Sequence, residues 1–303
     1  MKLIATILAT VIAIVIVVAL IPELDNDSNS IDVIIIDGQS NAAPYPGTTN
    51  LELVDQELGA PTHNIYYYGS PDSQPTWPEH YWKSYDVYPI YKDGAYVIGS
   101  LDGPLAYYLS EKQGHDVLVI NSAVSGSKIS ELIPGNPKGD WGIELIENAL
   151  NKLSGYRYVN IIGWVWAQGE WDSTTDIDEY KSDFLKLDNY FDSIGAYQCY
   201  IIKTKEHWGN AVIAQRELVE EYPDIHMATE ITESFTRENG MLLDGAGHYT
   251  QQARILVADS VADYIPIKEY PWSDLKPLID IIPLLLVAVI IFAVSIYAVY
   301  HKD

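Results

Sequence analysis

Short apolar runs rich in β-branched residues alternate with helix-like segments along the middle of the chain. The runs that predict strands are residues 31–36, 117–121, 159–166, 200–203 and 225–228. The segments that predict helices lie near residues 103–111, 142–153, 177–191, 210–221 and 250–264. Such an alternation is typical of a parallel sheet covered by helices. The sequence therefore predicts an α/β fold, a three-layer α/β/α sandwich around a central, mainly parallel five-stranded sheet.

Two longer apolar runs lie at the ends of the chain, at residues 3–21 and 278–300. Each is close to the roughly 20 residues that a helix needs to cross a bilayer. We therefore expect a transmembrane anchor or signal-anchor at residues 1–22, with a cleaved signal peptide as the alternative, and a transmembrane helix at 278–300. The roughly 250 residues between the two runs suit one domain, which we predict at residues 31–266.

The charges beside the apolar runs predict how the chain is oriented in a membrane. Lys2 precedes the first run and Lys302 follows the second, whereas the flanks that face the middle of the chain are poor in lysine and arginine. Positively charged flanks favour the cytoplasmic side. We therefore expect both termini in the cytoplasm and the middle of the chain on the extracytoplasmic side of the cell membrane.

The chain is strongly acidic, with 42 Asp and Glu against 18 Lys and Arg and a formal net charge of −24. Such a charge repels nucleic acid, so we exclude nucleic acid as a partner. Cys199 is the single cysteine of the sequence, so no intramolecular disulfide can form. The histidines lack the spacing of a zinc site, so no metal and no cofactor are implied.

Residues 65–96 have a different character, because tyrosines, tryptophans and prolines are crowded there without a clear period. We interpret this segment as a long, irregular, aromatic-rich insertion. Its rings either cover the edge of the sheet or stack against a ligand, and both alternatives stay open. Trp164 and Trp166, by contrast, alternate along a predicted buried strand, which favours a place in the core over a sugar platform.

Polar and small residues follow three of the predicted strands, where an open α/β sheet binds its ligands. Ser40 comes directly after the first strand and is either a nucleophile or a helix-capping residue. Gly126 lies in a small-residue loop after the second strand, where its N–H could face a developing oxyanion. Gln168 follows the third strand and is either a further oxyanion donor or a hydrogen-bonding loop residue.

A histidine and an aspartate lie together before the last predicted helix of the middle region, in the segment Asp244-Gly-Ala-Gly-His248. A serine hydroxyl is a poor nucleophile until a neutral imidazole within hydrogen-bond reach accepts its proton. A carboxylate beside the imidazole fixes its tautomer and stabilises its charged form. Asp244 and His248 therefore suit the two supporting roles of a serine hydrolase.

These four segments, in this order, resemble the SGNH hydrolases, and within them the sialate O-acetylesterase-like and acetylxylan esterase branch of carbohydrate esterases. Two blocks carry the resemblance: Gly-Gln-Ser-Asn at 38–41 and Trp-x-Gln-Gly-Glu-x-Asp at 166–172. The resemblance spans roughly residues 31–264. It implies an SGNH, flavodoxin-like sheet and an esterase that removes O-acetyl groups from carbohydrates, with an acetylated glycan as its partner.

The resemblance also implies the roles of individual residues. Ser40 is the expected nucleophile, His248 the general base and Asp244 its orienting acid. The backbone N–H groups of Ser40 and Gly126, together with the Gln168 side chain, are the expected oxyanion hole. Four further residues of the two blocks are expected to support the site: Gln39, Asn41, Glu170 and Asp172.

One departure from the family's pattern leaves alternatives open. Asp244 and His248 are four residues apart, whereas the family usually places its acid three residues before the histidine. Glu170 and Asp172 are therefore alternative partners of the imidazole. The same departure motivates a second hypothesis, a catalytically inactive glycan-binding or surface-structural protein that retains the fold. A third hypothesis is a lipase or thioesterase acting at the membrane surface.

Overall fold

The central sheet has seven strands and is parallel except at one edge. In this computed structural model the described residues are 30–44, 49–71, 74, 76–78, 85–156 and 158–267. The sheet order is β3-β2-β6-β1-β7-β8-β9, and only the β2–β3 pair is antiparallel. These strands are β1 (Ser30–Gly38), β2 (Ile65–Gly69), β3 (Asp86–Pro89), β6 (Val117–Asn121), β7 (Tyr158–Ala167), β8 (Cys199–Ile202) and β9 (Ile225–Thr229).

The predicted number of strands is wrong, since the sheet has seven where the sequence predicts five. The two additional strands, β2 and β3, come from the aromatic-rich segment 65–96. The β2 sequence is Ile-Tyr-Tyr-Tyr-Gly, and four of its five residues are buried, so the strand shows no alternation of apolar and polar side chains. The segment also forms a small hairpin, β4 (Tyr91–Lys92) with β5 (Ala95–Tyr96).

The core lies on both faces of the sheet because successive side chains of a strand point to opposite sides. In β1, Ile34 and Ile36 pack into one apolar cluster and Val33 and Ile35 into another. All four side chains are fully buried. A strand with this burial on both faces must be covered by helices on both sides, which is how the sandwich arises.

Seven helices are present among the described residues, and they lie on the two faces of the sheet. Helices α1, α2 and α7 pack with the Ile34 cluster, and α4, α5 and α6 pack with the Val33 cluster. Their bounds are α1 (Leu51–Leu58), α2 (Asp102–Gln113), α3 (Ile129–Leu132), α4 (Pro137–Asn151), α5 (Ile177–Ser193), α6 (Asn210–Glu221) and α7 (Gln251–Tyr264). The α/β class with helices on both faces of a mainly parallel sheet agrees with the prediction.

Most described aromatic residues of segment 65–96 are part of the core. Tyr67, Tyr68 and Tyr96 are almost completely buried, and the Tyr67 ring lies 6.1 Å from that of Tyr88. For these residues the structure favours coverage of the sheet edge over a ligand-stacking role. The core assignment of the two strand tryptophans is confirmed, since Trp164 and Trp166 are both fully buried.

The two predicted membrane segments, 1–22 and 278–300, lie outside the described residues. Among the helices that are described, none combines the length and the apolar character needed to cross a bilayer. All described residues fall within one compact unit, Asn29–Ile267. The domain bounds 31–266 remain a prediction.

Candidate active site

A cavity of about 380 Å³ opens at the carboxyl ends of the central strands. Its wall includes Ser40 from the turn after β1, Gly126 from the loop after β6, and Glu170 from the loop after β7. His248, from the loop before α7, lines the same cavity. Segments that are up to about 200 residues apart in the sequence therefore meet at one rim, as the topology of a parallel sheet requires.

Gly38 allows β1 to end in a sharp turn against the neighbouring strand. Its φ angle is +135°, and a Cβ atom built on it would lie 2.2 Å from the carbonyl oxygen of Ala167 in β7. The Gln39 N–H donates to that same carbonyl oxygen at 3.0 Å. A side chain at position 38 would force the strands apart, so glycine is required where the chain turns to present Ser40.

The turn that carries Ser40 is held from beneath by buried polar side chains. Arg254 of α7 donates to the backbone oxygen of Ser40 at 3.2 Å and to the Ser100 hydroxyl at 2.6 Å. Asn121, at the end of β6, donates to the backbone oxygen of Ala42 at 2.9 Å. Arg254 is completely buried, and burial lowers the pKa of its guanidinium to about 10.

Sequence reasoning missed Arg254, although its spacing carried a signal. Arg254 shares a helical face with Val257, Ala258 and Val261, all of which are buried. A charged residue at the i, i+3, i+4, i+7 positions of an apolar face must be paired in the interior. Here its partners are the turn behind the proposed nucleophile and Ser100.

The loop after β6 brings a backbone N–H group to the cavity. Gly126 has a φ angle of +70°, in the left-handed region that favours glycine. Val124, two residues before Gly126, donates its N–H to the backbone oxygen of Gly38 at 2.9 Å. This bond fixes the loop to the strand that carries Ser40, so the N–H groups of Ser40 and Gly126 belong to the same rim.

Gln168 is not where an oxyanion donor is expected. Its side chain is buried, and its amide nitrogen donates to the backbone oxygen of Ser127 at 3.2 Å and to a carboxylate oxygen of Asp172. Its amide oxygen accepts from the Tyr180 hydroxyl at 3.1 Å. Both amide hydrogens are used in these bonds, so in this geometry Gln168 braces the Ser125–Ser127 loop from behind.

Asp172 completes that brace. Besides Gln168, its carboxylate accepts from the N–H of Ile129 at 2.9 Å and from the Thr175 hydroxyl at 2.7 Å. The side chain is 1% exposed. Asp172 thereby joins the loop after β7 to the start of α3.

Asp244 and His248 form a hydrogen-bonded pair at the cavity wall. The Nδ1 atom of His248 lies 2.7 Å from Oδ2 of Asp244. The other carboxylate oxygen accepts the N–H groups of Ala246 at 3.0 Å and His248 at 3.2 Å. Partial burial acts to raise the pKa of Asp244, but the hydrogen bonds from His248 and Ala246 outweigh it and lower that pKa below its ordinary value. The four-residue spacing therefore closes into a turn that still brings the carboxylate to the imidazole.

Glu170 is clamped by the two residues that flank Ser40. Its carboxylate accepts from Nε2 of Gln39 at 2.6 Å and from Nδ2 of Asn41 at 2.8 Å. Burial raises the pKa of Glu170, although the bond from Asn41 and the nearby His248 act to lower it. Gln39 and Asn41 thus connect the turn that carries Ser40 to Glu170.

Asn41 also connects the nucleophile turn to the histidine loop. Its Nδ2 atom donates to the backbone oxygen of Gly247 at 3.2 Å, and its Oδ1 atom accepts the N–H of Tyr249 at 3.0 Å. His248 lies between these two residues. Asn41 therefore fixes the position of the imidazole relative to Ser40.

Within the described ranges, no group of three or more His, Cys, Asp or Glu side chains is arranged to hold a metal ion. The cavity wall contains the Ser40 hydroxyl, the backbone of Gly126, the Glu170 carboxylate and the His248 imidazole, which is hydrogen-bonded to Asp244. Such a set is suited to acyl transfer by a serine nucleophile.

Comparison with solved structures shows the same fold in proteins of low sequence identity. NanS matches with a TM-score of 0.54 at 12% identity, covering 78% of this chain and 97% of that one. A carbohydrate acetylesterase from Xanthomonas citri matches with a TM-score of 0.51 at 14% identity, covering 77% and 55%. A protein from Arabidopsis thaliana matches with a TM-score of 0.50 at 17% identity, covering 78% and 97%. Among curated proteins, none matches the sequence significantly.

A family model shows the relationship more directly. The model described as "Carbohydrate esterase, sialic acid-specific acetylesterase" matches residues 30–265, more than three quarters of the chain. This match confirms the resemblance to the carbohydrate esterase branch of the SGNH hydrolases. The chain therefore belongs to the sialic acid-specific acetylesterase family of carbohydrate esterases, and it is an esterase of acetylated carbohydrates.

Proposed function

We propose that the protein is a membrane-anchored esterase that removes O-acetyl groups from carbohydrates through a Ser40–His248–Asp244 triad, with its catalytic domain on the extracytoplasmic side. The observation that carries the catalytic part is the 2.7 Å contact between His248 and Asp244 in the wall of the cavity that Ser40 lines. The two apolar runs, 3–21 and 278–300, support the anchoring.

In the first step, the Ser40 hydroxyl oxygen attacks the acetyl carbonyl carbon while His248 accepts the hydroxyl proton. The N–H groups of Ser40 and Gly126 stabilise the negative charge that develops on the carbonyl oxygen. Asp244 holds the imidazole in the required tautomer and stabilises its charged form. The sugar oxygen then leaves with the proton from His248, and the acetyl group remains on Ser40.

In the second step, water releases the acetyl group. His248 accepts a proton from the water, whose oxygen attacks the same carbonyl carbon, and the same two N–H groups stabilise the oxyanion again. The bond to Ser40 breaks, His248 returns the proton to the hydroxyl, and acetate leaves. A protein of this kind needs no metal for either step.

The enzyme hypothesis is tested with the full-length chain in detergent. We expect hydrolysis of p-nitrophenyl acetate and labelling of Ser40 by a fluorophosphonate, and we expect Ser40→Ala to abolish both. Ser125→Ala is the matched control, because Ser125 is an exposed serine of the same cavity, and it should retain activity. Absence of hydrolysis together with an unlabelled Ser40 would favour the inactive glycan-binding protein. Activity that rises steeply with acyl chain length would favour the lipase or thioesterase.

A further inference from the structure

Two tryptophans line the cavity beside the proposed catalytic residues without belonging to the triad or the oxyanion hole. Trp171 is 59% exposed and Trp208 is half-buried, and both contribute to the cavity wall. A large exposed aromatic side chain next to a catalytic serine keeps apolar surface in contact with water, which is unfavourable until a ligand covers it.

The loops that carry the two tryptophans are fixed to each other. Trp171 lies in a short helical turn, Glu170–Asp172, and Trp208 lies in another, Glu206–Trp208. The backbone N–H of Asn210 donates to the oxygen of Ser173 at 3.1 Å, and its side chain donates to the oxygen of Thr175 at 2.9 Å. These bonds join the two loops, and both tryptophans contribute to the wall of the same cavity.

Trp208 is also close to the histidine loop. A Cβ atom on Gly247 would lie 3.7 Å from Cζ2 of the Trp208 indole. The indole ring also contacts the His207 ring, with centroids 4.6 Å apart. A group that rests on Trp208 is therefore next to His248, where the sugar side of a sugar ester must lie during attack by Ser40.

The charges around the cavity disfavour an anionic ligand. Among the described residues that line the cavity, Glu170 carries a carboxylate and none is a lysine or an arginine. In the segment that carries Trp208 the cations are already engaged: Lys203 pairs with Glu206, Glu230 and Glu233, Lys205 donates to the backbone oxygen of Phe235, and Arg216 pairs with Glu206. A carboxylate on the sugar would lie beside the Glu170 carboxylate and in the field of a chain with a net charge of −24.

We propose that Trp171 and Trp208 form a subsite that stacks the ring of a neutral, uncharged acetylated sugar, a specificity that rests on the proposed esterase function. The C–H face of a pyranose ring is apolar and packs against an indole face, while its hydroxyl groups stay in water. The matching family model is described by an acidic sugar, whereas the two tryptophans and the negative charge around this cavity favour a neutral one.

Steady-state kinetics with two substrates test the subsite. We expect Trp171→Ala and Trp208→Ala to raise the KM for 6-O-acetylglucose about tenfold with little change in kcat. The same variants should lose much less activity on ethyl acetate, which has no ring that can stack on an indole. Trp171→Phe should restore part of the loss. Tyr197→Ala is the control, because Tyr197 is 64% exposed and precedes β8, at the amino end of the strand and not at the carboxyl ends where the cavity opens. An unchanged KM for the sugar ester, or an equal loss on both substrates, would overturn the subsite.

The charge of the sugar is tested with the wild type. We expect kcat/KM for 6-O-acetylglucose to exceed that for 9-O-acetyl-N-acetylneuraminic acid by about tenfold or more, and the difference to narrow as added salt screens the repulsion. A preference for the anionic sugar would overturn the proposal.

Direct binding separates the subsite from catalysis. In the Ser40→Ala variant, 6-O-acetylglucose should quench tryptophan fluorescence, and addition of Trp171→Ala should remove most of that signal. Sugar binding without any esterase activity in the wild type would refute the proposed function and leave the subsite standing. Esterase activity with no binding signal would refute the subsite alone.

Discussion

At the scale of single residues, Asp244 and Glu170 are the two carboxylates near His248, and substitution distinguishes their roles. Asp244→Asn leaves an amide beside Nδ1 of His248, which favours the wrong tautomer and removes the charge that stabilises the imidazolium. We expect kcat for p-nitrophenyl acetate to fall by about 10³- to 10⁴-fold. The Asp244 side chain is half exposed, so the thermal unfolding midpoint should change little.

Glu170→Gln is the comparison for this prediction. It places an amide donor against the donor groups of Gln39 and Asn41, so we expect a smaller loss of activity together with lower stability. If Asp244→Asn is silent and Glu170→Gln severe, the orienting acid is Glu170 and the proposed triad is wrong.

Asp37 gives a pH dependence of stability. Burial raises its pKa to about 7, against the opposing bonds from Gly38 and Ser122. In the unfolded chain the carboxyl loses its proton near pH 4, about its usual pKa. Between about pH 4 and about pH 7 the folded state therefore holds more protons, and stability falls as pH rises through this window.

Asp37→Asn tests this assignment. An amide keeps the oxygen that accepts the Gly38 N–H at 2.7 Å but cannot ionise. Between pH 5 and pH 8 we expect the unfolding free energy of the wild type to fall by a few kcal/mol more than that of the variant. The difference should accumulate mainly below about pH 7, at about 1.4 kcal/mol for each pH unit. Urea unfolding at each pH measures it. Parallel curves for the two proteins would show that Asp37 does not titrate in this range.

At the scale of secondary-structure elements, the β1–β7 pair depends on Gly38. A Cβ atom at this position would meet the Ala167 backbone oxygen at 2.2 Å, and backbone cannot move aside as a flexible side chain does. We expect Gly38→Ala to lower the unfolding free energy by more than about 3 kcal/mol, or to abolish recovery of soluble domain. Urea unfolding followed by circular dichroism measures the change.

Gly114→Ala is the matched control for this substitution. Gly114 follows α2 in the left-handed conformation, with φ +73° and ψ +28°, and a Cβ atom there would have nothing within 4 Å. Its cost should be only about 1 kcal/mol, the conformational penalty of a left-handed residue. Equal effects of the two substitutions would mean that the close approach of β1 and β7 is not the reason for glycine at position 38.

The elements that the sequence predicts well are those with a clear apolar pattern. The bounds of β6 (Val117–Asn121) and α6 (Asn210–Glu221) agree with the prediction residue for residue, because each run ends at polar or turn residues. β2 was missed because its adjacent tyrosines are buried on both faces, which resembles neither a period of two nor one of 3.6.

The same contrast holds for the site, where residues of short motifs could be predicted and residues brought in by tertiary packing could not. Ser40 and its neighbours lie in contiguous blocks, so their meeting at the sheet edge follows from topology. Trp208 and Arg254 reach the site only through tertiary packing, and no short motif marks them. The amide of Gln168 is turned away by bonds to Ser127 and Asp172, a choice of partners that spacing does not encode.

At the scale of the whole molecule, the net charge of the chain bears on the proposed membrane anchoring. A domain with most of a −24 charge is repelled by anionic lipid headgroups. Electrostatic adsorption to the lipid surface is therefore unfavourable, and attachment to a membrane would require an apolar segment that inserts into the bilayer. The apolar runs 3–21 and 278–300 are of the length that supplies it.

The orientation of the chain can be measured through its cysteine content. Cys199 is fully buried, and burial raises the pKa of its thiol well above the ordinary value, so the native chain should not react with a membrane-impermeant maleimide. Tyr197→Cys introduces a thiol at a side-chain position that is 64% exposed. We expect this variant to be labelled in right-side-out membrane vesicles and protected in inverted ones, as the proposed extracytoplasmic position of the domain requires. Labelling confined to inverted vesicles would place the domain in the cytoplasm, and recovery of the chain in the supernatant without detergent would refute anchoring altogether.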